Sequence, residues 1–140
     1  MDDCIHRCVK MTNEEPGAIQ LKFKDDGRFI AIIKSGKLTR GDVSALIKEA
    51  QVRNRVVDLK GRDLHNLDLS KLSLGRADLS NADLSNSNLS NTIMFSADLH
   101  NANFSNANLS YGNFSYANMS NAKLVGANLY YAVLLKTILS

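Results

Sequence analysis

Long apolar runs are missing from this chain. None approaches the ~18 consecutive residues of a membrane-crossing helix, so no membrane span is expected. The first 18 residues also lack the apolar core of a signal peptide. Cysteine is scarce: Cys4 and Cys8 are the only two in 140 residues. They lie close together, which points to reduced thiols and a cytoplasmic location. Neither sign of charge dominates, with 17 Lys and Arg against 14 Asp and Glu and a net charge of +3. That balance is uneven, because residues 1–56 carry all of the +3 and residues 57–140 are neutral. Such a chain has no strong electrostatic footprint for nucleic acid, and no nucleic-acid partner is expected.

Catalytic constellations are absent as well. His6, His65 and His100 fall in unrelated positions, and no serine or aspartate shows a nucleophile elbow or a histidine at a telling spacing. No glycine-rich phosphate loop appears. The expectation is a protein that is not an enzyme, with no cofactor, no metal and no small-molecule substrate. Cys4, His6 and Cys8 alternate and could line one side of an extended segment. A zinc site wants four ligands at other spacings, so the plainer reading is a frayed terminus.

What the chain does have is a count of five. From about Asp63 to Ala132 a leucine-like residue returns at Leu64, Leu69, Leu74, Leu79, Leu84, Leu89, Met94, Leu99, Phe104, Leu109, Phe114, Met119, Leu124 and Leu129, and then at Leu134. Two residues earlier sits a small one, as at Ala77, Ala82, Ser87, Thr92, Ala97, Gly112 and Ala132. The motif reads Ala77-Asp78-Leu79-Ser80-Asn81. A period of five matches neither 3.6 nor 2, so no regular helix or flat strand keeps the leucines on one face. Each quintet can instead form one side of a four-sided coil, an extended piece followed by a turn. The central and small residues then point inward. Burying one leucine is worth roughly 1.5–3 kcal/mol, which offsets much of the ordering entropy. The Ser and Asn that follow fall at corners, where their side chains can bond nearby backbone.

This pattern resembles the pentapeptide-repeat family, whose consensus is Ala-(Asp/Asn)-Leu-X-X. The resemblance covers about residues 57–140 without insertion. It implies a mainly β fold, a right-handed quadrilateral β-helix of about four coils with a solid core.

The remainder reads as a small α+β cap. Residues 1–17 form a flexible N-terminal segment, with Asn13-Glu14-Glu15-Pro16-Gly17 as a break. Residues 18–56 form a β-hairpin and a helix. Ile19–Phe23 alternates apolar and polar, Asp25-Asp26-Gly27 signals a turn, and Phe29–Ile33 returns. Thr39 or Asp42 can cap a helix whose apolar residues are Val43, Leu46, Ile47 and Ala50. This head is too small to hold a good core alone and should cover the first coil. The inward small positions there hold Val57, Arg62, Leu67 and Leu72. Arg62 cannot stay inside unpaired, so an irregular coil is expected around it.

Residues 20 apart should stack at roughly 4.8 Å. The register therefore predicts that Tyr111 stacks on Tyr131. It also gathers Ile93, Phe95, Tyr111, Tyr116, Tyr130, Tyr131, Val133 and Leu135 into an outward apolar and aromatic region that thickens toward the C-terminal end. Such a region reads either as closure of that end or as a contact for a protein partner, including a second copy of the chain. Asp58, Asp78 and Asp98 form one acidic column, and Asp63 and Asp83 another. Their simplest role is to bond corner backbone. The functional expectation is a non-enzymatic scaffold or adaptor that binds protein, homodimeric through its C-terminal end. The alternative is a DNA-mimic regulator of a topoisomerase, as the resemblance to quinolone-resistance members implies. A neutral rod only about four coils long argues against that alternative, because the enzyme's DNA channel is basic.

Overall fold

The structure, a computed structural model, describes residues 19–23, 29–33 and 37–140. The segment 1–17, its Cys4, His6 and Cys8, and the turn Asp25-Asp26-Gly27 lie outside the described residues.

The quintet explains itself through its backbone amides, each of which needs an acceptor. In residues 97–101 the Ala97 amide donates to Met94 O at 3.0 Å and closes the preceding corner. The Asp98 amide donates to Ala77 O at 2.9 Å, in the coil before. The Leu99 and Asn101 amides donate to Asn118 O at 2.7 Å and Ser120 O at 2.9 Å, in the coil after. The fifth, His100, would have no acceptor in this ladder. Asp98 Oδ1 accepts from it at 3.3 Å. The Asp or Asn before each centre is thus an Asx turn that completes the set. The same bond recurs at Ser80, Ser90, Ser105, Ser110 and Ser120, at 3.0–3.1 Å.

The fifth residue of each quintet turns the corner. From Gly61 to Lys136 its φ lies between 54° and 71°. With φ positive at that residue, and at nearly every corner a bond from the small residue back to the preceding centre, the corners have the type II signature. Asparagine tolerates this left-handed backbone best among residues that carry a side chain, which accounts for its frequency there.

Parallel bridges join residues 20 apart, from Asp58↔Asp78 to Asn118↔Ile138. Quintets therefore stack as four faces, beginning at Val57, Arg62, Leu67 and Leu72, through four coils over residues 57–136. Each quintet gives one residue to its ladder before the corner intervenes, so the coils contain isolated bridges and no continuous strand. The expectation of a mainly β chain holds for the pairing and not for strand content. The coil is also regular at Arg62, contrary to expectation. Arg62 N donates to Leu59 O at 3.1 Å and Arg62 O accepts from Asp83 N at 2.9 Å. Its side chain is half-buried in the first coil and is not without an interaction, so the backbone keeps its ladder there.

Inside, the centres from Leu59 to Met119 are buried. Volume is shared between a centre and its small neighbour. A Cβ at Gly112 would come within 2.5 Å of the Phe114 ring, so the smallest small residue accompanies a large centre.

The two ends differ. At the N-terminal end, helix α1 (Arg40–Val52) is held by a capping box between Thr39 and Asp42. Its Val43, Leu46, Ile47 and Ala50, with Leu38, join one apolar core with Leu59, Leu64, Leu69 and Leu74. Arg40 ties it down by donating to Asp68 O at 2.7 Å and Ser70 O at 2.8 Å. The hairpin strands β1 (Ile19–Phe23) and β2 (Phe29–Ile33) pair antiparallel, Ile19 opposite Ile33. At the other end Leu124, Leu129 and Leu134 are only partly buried. Their amides find no acceptor among the described residues.

Two measurements test this account. Asn101→Val should lower stability by about 1–2 kcal/mol in thermal unfolding, whereas Asn101→Gly should not, because the corner disfavours β-branched side chains. Equal melting of the two variants would contradict it. Gly112→Ala should cost about 1–3 kcal/mol, and adding Phe114→Leu should recover part of that loss.

Candidate functional site

The fourth face departs from the repeat's own rules. Its second positions read Ser73, Ile93, Asn113 and Val133, so the Asx acceptor survives only at Asn113, which accepts from Ser115 N at 3.0 Å. Ile93 and Val133 give Phe95 and Leu135 no such acceptor. The corners bounding this face carry Tyr111 at φ 58°, Tyr116 at 61° and Tyr131 at 55°. A bulky aromatic in the left-handed region costs of order 1 kcal/mol or more against Asn or Gly. Both departures exchange fold-favouring residues for apolar surface.

All eight residues singled out from the sequence are exposed, and the structure brings five of them together in two groups of rings. Tyr111 stacks on Tyr131 with centroids 5.4 Å apart and planes 18° apart, as the register predicts. Tyr130 meets both edge-on, at 4.2 Å from Tyr131 and 6.0 Å from Tyr111. The Tyr131 side chain raises the Tyr130 pKa further above neutrality, so the group stays uncharged. In the second group Phe95 packs edge-on against Tyr116 at 5.3 Å, and Lys136 Nζ lies 5.5 Å from the Tyr116 ring centre. Ile93, Val133 and Leu135 complete the face.

Charge is sorted among the faces. Asp58, Asp78 and Asp98 lie on the first, Asp63 and Asp83 on the second, and Asp68 on the third. The fourth face and its two corner columns hold Lys71, Arg76 and Lys136 and no carboxylate.

On the second face the structure adds a cluster that spacing did not reveal. Ligand atoms of Asp63, His65 and Asp83 come within 4.8 Å of one another. The 20-residue offset between the two aspartates was the available signal. These groups already have partners: His65 Nδ1 and Lys37 Nζ meet Asp63, the latter at 3.9 Å, and Asn103 Nδ2 donates to Asp83 at 3.2 Å. Asp98 and His100 repeat the carboxylate–imidazole pair at 2.6 Å on the first face.

The family model described as pentapeptide repeats (8 copies) matches residues 73–110 and 102–140. The chain belongs to the pentapeptide-repeat family. Among solved structures it is similar to a pentapeptide-repeat protein of the Arabidopsis thaliana thylakoid lumen, at 27% identity over 56% of this chain and 62% of that one, with TM-score 0.38. It is similar to HetL of Nostoc sp. PCC 7120, involved in heterocyst differentiation regulation, at 30% identity over 58% of this chain and 42% of that one, with TM-score 0.31. A further pentapeptide-repeat protein from Nostoc PCC 7120 is 30% identical over 61% of this chain and 74% of that one, with TM-score 0.36. The matched part thus spans less than two thirds of the first two relatives. No curated protein matches. Among the described residues no helix is long and apolar enough to cross a membrane.

Bonding around Asp68 and Asp83 should make this pentapeptide-repeat coil acid-sensitive. Ser70, by its hydroxyl and then its amide, holds Asp68 below the ordinary 3.8, and bonding from Ser85 does the same for Asp83. A carboxylate whose pKa is lowered by folding stabilises the fold above 3.8, and that contribution is lost as pH falls through 3.8 and below. Replacing Asp68 and Asp83 by Asn keeps the Asx acceptor but removes the titration. The double variant should lose less Tm than wild type between about pH 7 and about pH 3. An equal loss would assign the acid sensitivity elsewhere.

Proposed function

We propose that this pentapeptide-repeat chain is a right-handed, four-sided solenoid that binds another protein and catalyses nothing, working in the cytoplasm. Its C-terminal coil is the contact for a second copy. The observation that carries the reading is the exposed apolar and aromatic surface converging on that end, where Tyr130, Tyr131, Val133 and Leu135 lie beside a partly open core. Surfaces of this composition anchor protein interfaces. The non-catalytic half of the reading is supported by the buried centres from Leu59 to Met119, which fill the inside of the coil with apolar side chains. Pentapeptide-repeat proteins are generally structural and non-enzymatic, which agrees.

Duplex mimicry has less support. It calls for a net negative face, yet the acidic column through Asp63 and Asp83 continues into Asn103 and Lys123.

Wild type should sediment as a dimer at about 100 µM. Tyr131→Ala with Leu135→Ser should weaken association roughly 30-fold, as loss of an interface anchor does. A monomeric wild type at that concentration would remove the second copy from the proposal.

A further inference from the structure

We propose that the fourth face, over its first three coils, docks a short extended segment of a partner protein that is apolar along its length and acidic at one end. This deepens the protein-binding reading above and rests on it. The apolar stretch lies on Ile93, Phe95 and the Tyr116 ring packed against Phe95, with Tyr111 along one border. The acidic end lies in a cleft where α1 meets the first coil.

That cleft, about 390 Å³, is lined by Ala50, Gln51, Asn54, Arg55, Val56, Gly75 and Arg76. Gly75 and Arg76 are the fourth-face residues of the first coil, so the cleft and the apolar strip are continuous. The guanidinium groups of Arg55 and Arg76 have no hydrogen-bond or ion-pair partner among the described residues. Among the described residues no carboxylate lines the cleft, and the sequence places none on the face or at either bounding corner. Two unpaired guanidinium groups are the natural partners of carboxylates. A basic partner would meet only cations here, whereas the other faces offer it aspartates.

The dimensions suit a short strand. Two coil steps at about 4.8 Å give roughly 10 Å of strip beyond the cleft, the reach of about three extended residues at 3.3 Å each. Phe95 stands exposed between Gly75, which has no side chain, and the buried Ser115, so a strand can lie against its ring without obstruction above or below. Aromatic and aliphatic side chains then set the affinity, and the arginines set direction.

The probes are fluorescein-labelled Leu-Phe-Leu-Asp-Asp and Asp-Asp-Leu-Phe-Leu, titrated with the full chain and read by anisotropy. At least one should bind saturably, and its counterpart with Lys for Asp should bind at least about tenfold more weakly. Arg55→Gln with Arg76→Asn should bring the acidic probe to the level of the lysine one, and Asn keeps the left-handed corner at residue 76 accessible. Phe95→Ser should weaken both probes alike. Circular dichroism checks that each variant keeps its fold, and Tyr131→Ala with Leu135→Ser should leave probe binding in place. Binding indifferent to the carboxylates overturns this inference and leaves the protein-binding reading standing. No peptide binding overturns it too, and if wild type is also monomeric both readings fall. Saturable binding of oligo-dT or anionic phosphatidylserine vesicles in place of the peptides would assign the face to nucleic acid or lipid and overturn it as well.

Discussion

The structure depends on the fate of one amide in every five. Four of the five amides in residues 97–101 are satisfied by the coil itself, two by the coil after, one by the coil before and one by the preceding corner. The fourth residue's amide, at His100, points where no neighbouring coil offers a carbonyl. Asp98 supplies one from its side chain. Backbone that turns a corner every five residues, around a core too narrow for water, cannot leave such a donor unmet across many layers. This explains why the residue beside each leucine is so often Asp or Asn, and why charge there is incidental: Asn88 and Asn108 do the same work as Asp68. Along the third face these side chains bond one another between coils, from Asn128 to Asn108 and from Asn108 to Asn88, each at 3.4 Å.

Against this economy the fourth face is an exception. Ile93 and Val133 give up the side-chain acceptor, and three tyrosines occupy corners that suit asparagine. The rest of the coil is consistent from level to level, so this local breach of its rules, compensated only by ring contacts at the surface, is what supports the proposal of a contact face. Aspartates are excluded from the same face, which leaves it apolar and mildly basic beside acidic neighbours. A neutral rod thereby acquires sidedness. The ends are unequal: α1 buries the first layer of leucines, while Leu124, Leu129 and Leu134 of the last layer stay only partly buried.

Much of the fold was legible in the sequence because five residues per side and four sides per coil leave little freedom. The buried centres, the Tyr111–Tyr131 stack and the buried face of α1 all follow from counting. Thr39 and Asp42 each read as a cap, and the structure uses both at once. The expectation of an irregular coil at Arg62 failed because local chemistry was weighed without the end geometry: at the first coil the residue is only half-buried and its backbone keeps the ladder. The Asp63–His65–Asp83 cluster was overlooked for a similar reason. It joins a spacing of two with a spacing of 20, and neither is informative until the coils are stacked.

By itself the sequence determined the period, the inward residues and the sorting of charge among the faces, because each of these is a property of position modulo five or modulo 20. Only the tertiary structure decided what lies between elements: the cleft where α1 meets the fourth face, the two arginines there that find no partner among the described residues, and which rings meet edge-on. Those features depend on how a helix settles on a coil and on which rotamers that packing permits. No repeat spacing encodes either.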